Sequence, residues 1–250
     1  MSGVMMTKKI MRLRLSLLMA LLVLQTSAFA VTRYGETICH QTDYHCKTIK
    51  SGESWSSLFN NPEQMDIVKR INRMNSRLRP GMTIAVPNNI DRLSIYDVSP
   101  FPRYIEETGE KTIYVSQDKL AWGAYDESGE LIWWGPISTG ANKCSGVRGG
   151  CHTPTGEFRI IRKQDIDCIS TEFPINADGT KGGAEMPYCM HFYRGYALHG
   201  SETVPGYRDS HGCVRLFTED ARWLNEEFVD IPGDGFTGTR VIIDEANQNY

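Results

Sequence analysis

The stretch Leu198-His199-Gly200-Ser201-Glu202-Thr203-Val204-Pro205-Gly206-Tyr207-Arg208-Asp209-Ser210-His211-Gly212-Cys213-Val214-Arg215-Leu216 holds two of the chain's six histidines and one of its seven cysteines. Three glycines, Gly200, Gly206 and Gly212, lie among them and let the backbone turn tightly. A Cys and a His each beside a Gly suggest a thiol nucleophile and its base on neighbouring loops.

A thiol attacks a carbonyl only as thiolate, so a nucleophilic Cys needs a base or cation close by. The charge that develops on the carbonyl oxygen needs preorganised donors, which the backbone amides of a Gly-containing turn supply. Ser210-His211-Gly212-Cys213 offers such a turn, and Gly212 leaves room for a substrate carbonyl. Arg215 lies on the side of an extended segment that Cys213 occupies, placed either to hold a substrate carboxylate or to form a structural ion pair. By the same spacing His211 competes with His199 as the base, and the residues alone leave that choice open. The bland alternative for Cys213 is an inert buried thiol.

Outward from this stretch, residues 111–245 read as mostly β. Ile113 and Val115 alternate with Thr112, Tyr114 and Ser116, and Leu120, Trp122 and Ala124 continue a second run. Asp126-Glu127-Ser128-Gly129 predicts a turn, Leu131 to Ile137 completes a hairpin, and strands are expected over 158–161 and 239–243. Ala221, Leu224 and Phe228 space one late helix that Pro232-Gly233 stops. Upstream, residues 48–90 read as a small β-α-α-β unit. A strand at 48–50 is followed by a capped turn at Ser51-Gly52-Glu53-Ser54, two helical patterns, and a closing strand from Thr83 to Pro87. Residues 91–110, with Pro100 and Pro102, read as a linker packed on its neighbours, and 31–47 as a polar N-terminal arm clipped by two cysteines.

The first thirty residues have the form of a cleavable export signal. Lys8, Lys9, Arg12 and Arg14 precede an apolar run from Leu15 to Leu24, and Ala28-Phe29-Ala30 ends in a small-x-small site that predicts cleavage after Ala30. The apolar run falls short of the ~20 residues a bilayer span needs, so the mature chain is expected in the periplasm with no membrane span. Removing those four cations leaves 23 Lys and Arg against 30 Asp and Glu, a net charge of −7. That balance, with no basic run, argues against nucleic acid as partner.

Export makes seven cysteines informative, because an odd number leaves at least one unpaired. If that one is Cys213, proximity in sequence favours Cys39–Cys46, Cys144–Cys151 and Cys168–Cys189. Zinc competes for Cys39-His40 and His45-Cys46, but the spacing matches no common zinc finger and oxidation would remove the thiolates.

The stretch Ser210-His211-Gly212-Cys213-Val214-Arg215-Leu216, preceded by His199-Gly200-Ser201 and Gly206, resembles the signature of the L,D-transpeptidase catalytic domain family. Thr153-Pro154-Thr155-Gly156-Glu157-Phe158, Ser138-Thr139-Gly140 and Met186-Pro187-Tyr188 look like further family segments. The resemblance covers about residues 111 to 244 and implies a β-sandwich or barrel with one late helix. It implies Cys213 as nucleophile, His199 as base, and the Gly200 carbonyl as the group orienting the imidazole. The amides of His211, Gly212 and Cys213 would form the oxyanion hole, with Ser210, Arg215 and Tyr188 on the substrate side. It also implies a reaction: Cys213 is acylated at the third-residue carbonyl of a peptidoglycan tetrapeptide stem, D-alanine leaves, and an amine resolves the thioester as a 3-3 cross-link. Water as acceptor would make an L,D-carboxypeptidase, and a protein lysine would anchor an envelope protein to the wall.

Residues 48–90 resemble a LysM module, a unit that binds N-acetylglucosamine-containing glycan strands. The resemblance rests on Ile49-Lys50-Ser51-Gly52-Glu53-Ser54-Trp55, Ile71-Asn72-Arg73-Met74-Asn75 and the run from Leu78 to Pro87. A lone Trp such as Trp55 is more often core than sugar platform. No cofactor or metal is expected. The readings from other classes are a non-catalytic wall-binding protein and a zinc peptidase using His191, His199, His211 and Cys213, which lacks an acid at metalloprotease spacing.

Overall fold

The computed structural model describes residues 31–144, 149–175, 179–233 and 235–246. The export signal expected over 1–30 lies outside them. Helix α1 (Tyr34–Ile38) and strand β1 (Tyr44–Thr48) come first, then helices α2 (Trp55–Leu58) and α3 (Pro62–Ile71), and strand β2 (Thr83–Pro87) closes antiparallel on β1. Local chemistry starts both later helices: Ser54 Oγ accepts the Ser57 amide, and Asn61 Oδ1 accepts that of Glu63 with Pro62 as the first helical residue. Trp55, Val68, Met74, Leu78 and Ile84 bury together, and Trp55 donates its indole N–H to the Ser76 carbonyl at 2.9 Å. Trp55 is therefore a core residue.

The first strand differs from expectation. It occupies Tyr44–Thr48 rather than 48–50, because the Lys50 amide is held by the Glu53 carboxylate in a turn that ends the ladder at the Thr48–Thr83 pair. Tyr44 to Lys47 are half-buried to exposed, so backbone pairing forms this strand without an apolar alternation to announce it. The segment read as an arm thus contributes a helix and a strand, tied by the Cys39–Cys46 disulfide.

Residues 88–110 hold a single 3-10 turn at Ile90–Arg92 and otherwise lie against the following strands. Trp134 Nε1 donates to the Ile95 carbonyl at 2.7 Å, and the Tyr125 hydroxyl to that of Pro102 at 2.9 Å.

The remainder is a nine-stranded sheet. Its strands are β3 (Thr112–Ser116), β4 (Ala121–Tyr125), β5 (Leu131–Ser138), β6 (Gly156–Arg159), β7 (Arg162–Lys163), β8 (Met190–Tyr193), β9 (Tyr196–Gly200), β10 (Val214–Leu216) and, beyond a short pair β11 (Pro232–Gly233) and β12 (Phe236–Thr237), β13 (Arg240–Ile243). The order is β6-β13-β3-β4-β5-β10-β9-β8-β7, with β13 parallel to β3 and β10 parallel to β9. The two edge strands, β6 and β7, are joined by only Ile160 and Ile161. The Ile160 amide donates to Thr239 beside β13, and that of Ile161 to His191 on β8, so the sheet curls until its edges meet. This is why the strand expected over 158–161 ends at Arg159: at Ile160 the chain passes from one edge to the other. Ile113, Trp122, Ile137, Leu198, Val214 and Val241 fill the enclosed core.

Helix α4 (Thr218–Trp223) runs into a π-helical turn over Leu224–Phe228, and the Val229 amide closes it on the Leu224 carbonyl. Ala221, Leu224 and Phe228 are buried in the main core. Among the described residues no helix is long and apolar enough to cross a membrane. The disulfides pair Cys39–Cys46, Cys144–Cys151 and Cys168–Cys189, and Cys213 is free.

The N-terminal unit packs on the sheet through a buried ion pair. Arg70 on α3 donates to both carboxylate oxygens of Asp220 on α4, at 3.0 and 2.8 Å, to the Trp134 carbonyl at 2.7 Å and to Asp66 at 2.7 Å. Trp133 Nε1 donates to the same Asp220 carboxylate at 2.9 Å. Further along, Asn75 donates to the Ser201 carbonyl at 2.7 Å and accepts the Val204 amide at 2.8 Å.

Candidate active site

Parallel pairing of β9 and β10 sets Leu198 opposite Val214, His199 opposite Arg215 and Gly200 opposite Leu216. Continued one residue back, this register places Cys213 beside Ala197. Opposite residues share a face and alternate residues return to it, so Cys213, Arg215, Ala197 and His199 stand on one side of the sheet. The intervening loop leaves β9 at Gly200 and returns at Cys213, which is how a thiol and an imidazole fourteen positions apart become neighbours. Asn75 of the N-terminal unit braces that loop at Ser201 and Val204.

His199 is buried, and its Nδ1 lies 2.9 Å from the Gly200 carbonyl oxygen. A carbonyl only accepts, so Nδ1 carries the proton and Nε2 is left as the basic nitrogen. Burial lowers the His199 pKa to about 4; the Gly200 carbonyl opposes this, while Arg215 and His191 add to it. Burial likewise pushes the Cys213 thiol up, against the opposite pull of the Ala197 backbone and Arg215. The resting pair is therefore a thiol and a neutral imidazole, not a thiolate and an imidazolium. The Cys213 sulfur points to the Gly195 carbonyl at 3.8 Å and packs against Cys168, Met186, Cys189 and Ala197. The Cys168–Cys189 disulfide thus forms part of the wall behind Cys213.

The turn that presents Cys213 is pinned at several points. Gly212 has φ +118°, and a Cβ there would meet Tyr196 Cε1 at 2.5 Å, so only glycine fits. Thr153 Oγ1 donates to the Gly212 carbonyl at 2.8 Å. Ser210 Oγ donates to the Cys213 carbonyl and accepts the Gly212 amide at 3.0 Å.

These bonds engage two groups that were expected to face the substrate. The Gly212 N–H is aimed at Ser210 Oγ rather than at an oxyanion, and the Ser210 hydroxyl serves the turn rather than a substrate. Tyr188 differs as well. It is half-buried against the main core, with φ +58° and its amide donating to the Asp165 carbonyl, and it is not one of the residues lining the cleft. The neighbouring Pro187 carbonyl clamps the Gly200 amide at 2.8 Å and Cys189 is disulfide-bonded, which holds this stretch against the sheet.

A cleft of about 910 Å³ opens over the sheet face. Cys213, His199, Arg215, Ser210 and His211 line it, together with Tyr196, His191 and Arg162. His211 is exposed at its rim, its ring 4.6 Å from that of Phe173, whereas His199 is buried. Arg215 has the Thr203 carbonyl at 3.4 Å and Asp209 at 3.5 Å, both at the long limit for a hydrogen bond. Sequence reasoning did not find Arg162 or the disulfide wall, and it named His191 only as a zinc ligand. Arg162 sits on a two-residue strand that carries no pattern.

Among the described residues, metal-ligating side chains gather at Cys39, His40 and Cys46, and at Cys144, Cys151 and His211. In both groups the cysteines are joined to each other, so neither offers a thiolate. His191, His199, His211 and Cys213, the zinc set weighed above, do not form such a group.

Residues 110–243 match the L,D-transpeptidase catalytic domain family (YkuD). Among solved structures the chain is similar to an L,D-transpeptidase from Xylanimonas cellulosilytica, with 23% identity over 67% of this chain and 73% of that one and a TM-score of 0.48. It is similar to one from Stackebrandtia nassauensis, with 22% identity over 61% and 63% and a TM-score of 0.42. A third, from Mycobacterium smegmatis, shows 19% identity over 54% and 59% with a TM-score of 0.42. The chain spans less than two thirds of the latter two. No curated protein matches it.

Proposed function

Because this chain belongs to the L,D-transpeptidase catalytic domain family, we propose that Cys213 is acylated by a peptidoglycan stem peptide and passes the acyl group to an amine. The observation that supports this reading is the placement of a free Cys213 and a neutral, carbonyl-anchored His199 on paired strands in one cleft. His199 Nε2 takes the thiol proton as Sγ bonds to the third-residue carbonyl carbon. The oxygen gains the charge and meets the amides of His211 and Cys213, since that of Gly212 is engaged. Collapse breaks the bond to D-alanine, whose amine takes the proton from His199. An incoming amine gives its proton to the same nitrogen, attacks the thioester and restores the thiol.

Because the resting thiol is neutral, charge separation is deferred until a substrate excludes water and offers its carbonyl. Arg215, held only by long contacts, is free to turn to a substrate carboxylate. The reading includes export to the periplasm by the leader and glycan strands as ligands of the N-terminal unit, with Trp55 as core rather than sugar platform.

Intact mass spectrometry after exposure to a carbapenem tests the acylation. One adduct is expected on the wild-type chain and none on Cys213→Ala. His199→Ala is expected to slow labelling about 10²–10⁴-fold, the usual contribution of a positioned base. An unlabelled, folded wild-type chain would overturn the reading. Digestion products from a tetrapeptide donor then separate the acceptors: 3-3 dimers report an amine, and trimmed tripeptides report water.

A further inference from the structure

The connection between His199 and Cys213 is held from two sides. On the sheet side, the Gly200 amide donates to the Pro187 carbonyl, the Ser201 amide to that of Leu216 and Ser138 Oγ to that of Tyr207, each at 2.8 Å. On the other side the connection lies against the N-terminal unit. The Tyr34 amide donates to the Gly206 carbonyl at 2.8 Å, Met74 pairs with Pro205, and the Asn75 amide donates to the carbonyl of the buried Val204 at 3.0 Å. A Cβ on Gly206 would meet the Asn72 carbonyl oxygen at 3.1 Å, which shows how closely the two backbones approach.

The Asn75 side chain makes two further bonds to the same connection, donating to the Ser201 carbonyl at 2.7 Å and accepting the Val204 amide at 2.8 Å. Peptide units are planar, so each bond fixes more than the atom it touches. The Val204 amide belongs to the unit whose oxygen, the Thr203 carbonyl, lies 3.4 Å from Arg215 Nη1. The Ser201 carbonyl directly follows the unit whose oxygen, the Gly200 carbonyl, accepts from His199 Nδ1 at 2.9 Å. Gly200 has no Cβ to restrict its backbone, so the direction of its carbonyl depends on what holds the chain at Ser201. One amide side chain therefore steadies the supports of both His199 and Arg215. A carboxylate would lack the donor, and an alkyl side chain would lack donor and acceptor alike.

We propose that Asn75 of the N-terminal unit is a positioning residue for the reaction at Cys213, its bond to the Ser201 carbonyl holding the Gly200 carbonyl in the direction that orients the His199 ring. Asn75 touches neither the thiol nor the imidazole and acts through Ser201 and Gly200. The backbone bonds at Val204 and Gly206 keep the N-terminal unit in place, so the Asn75 amide meets Ser201 with little freedom left to lose. Alignment of a base demands that kind of support, because small displacements of a reacting group are costly in rate. The N-terminal unit thus completes the site from outside the sheet that carries it.

This role rests on the acylation reading above, and the test separates the two. Thioester formation with a tetrapeptide donor is followed in single turnover over a range of donor concentrations. Asn75→Ala is expected to lower the maximal rate about tenfold, what one net hydrogen bond is worth in a rate, and to leave the half-saturating donor concentration within about twofold. Asn75→Asp keeps an acceptor for the Val204 amide but sets a carboxylate oxygen against the Ser201 carbonyl, and is expected to be at least as slow. Tyr125→Phe is the control. It deletes the hydroxyl that donates to the Pro102 carbonyl at 2.9 Å, and is expected to lose comparable thermal stability while keeping the wild-type rate. A wild-type maximal rate in Asn75→Ala or Asn75→Asp, an equal slowing in Tyr125→Phe, or a change confined to the half-saturating concentration would overturn the role. If a carbapenem labels Cys213 and the Asn75 variants keep the wild-type rate, the positioning role alone is wrong; if nothing labels Cys213 in the wild-type chain, the acylation reading falls first.

Discussion

His199 and Arg70 are almost equally removed from water, 6% and 4% exposed, yet one ends neutral and the other charged. Burial drives His199 to its neutral form because its one partner is a carbonyl and the nearby groups, Arg215 and His191, disfavour further positive charge. Burial pulls Arg70 down in the same way, but Asp220 and Asp66 more than offset it and hold the guanidinium charged. Desolvation sets the same demand in both places, and the partner decides the answer. His199 stays unprotonated because no acid was placed beside it. The joint between the N-terminal unit and the sheet is held because Asp220 meets Arg70 across it.

The largest effect should come from breaking the charged centre. Arg70→Met leaves the Asp220 carboxylate buried without its cation and is expected to cost about 3–5 kcal/mol in urea unfolding. Replacing both partners, Arg70→Met with Asp220→Leu, should recover most of that loss, since what destabilises is the uncompensated charge. Losses in the double variant as large as the sum of the singles would mean that shape, not charge, holds the joint.

The neutral centre makes a pH prediction. His199 and His191 both have folded pKa values of about 4, below the ordinary 6.5. Between those values the unfolded chain binds more protons, so stability rises with pH across the window. The contribution is fully present above about pH 6.5 and is lost as pH falls toward 4, about 2 kcal/mol per imidazole between pH 7 and pH 5. Urea melts at the two pH values measure it, and His191→Gln should remove about half of the difference. An unchanged difference in that variant would show that other groups carry the pH dependence.

The smallest effect lies at the contact between the two regions. Asn75 is a neutral side chain that both donates to Ser201 and accepts from Val204. Asn75→Ala should cost about 1 kcal/mol in thermal unfolding, the net value of an ordinary hydrogen bond. A loss as large as that of Arg70→Met would mean that the loop between His199 and Cys213, rather than the ion pair, carries the joint.

How much of this was legible in the sequence varied with the distance over which each feature is decided. Cys213 and its two candidate bases could be named because nucleophile, glycines and histidines fall within nineteen consecutive residues. The disulfides followed from an odd count and short separations. β3, β4 and β5 were readable from apolar alternation, whereas β7 and β10 are two and three residues long and carry too little pattern. The resemblance implied the Gly212 amide in an oxyanion hole and Ser210 on the substrate side, and the structure adds hydrogen bonds within the turn that no spacing announces. The resemblance put Tyr188 on the substrate side, and in the structure it is half-buried against the main core.

The sequence by itself determined the mostly β character, named the candidate reactive groups and favoured the cysteine pairing, because each depends on residue type and local spacing. The tertiary structure alone decided which groups are charged, which are engaged and which stand in one row. Arg70 meets Asp220 across 150 positions, Arg162 aligns with His191 only through strand register, and the sheet curls shut at Ile160 and Ile161. Desolvation and long-range pairing exist only once the chain is folded, so no local pattern records them.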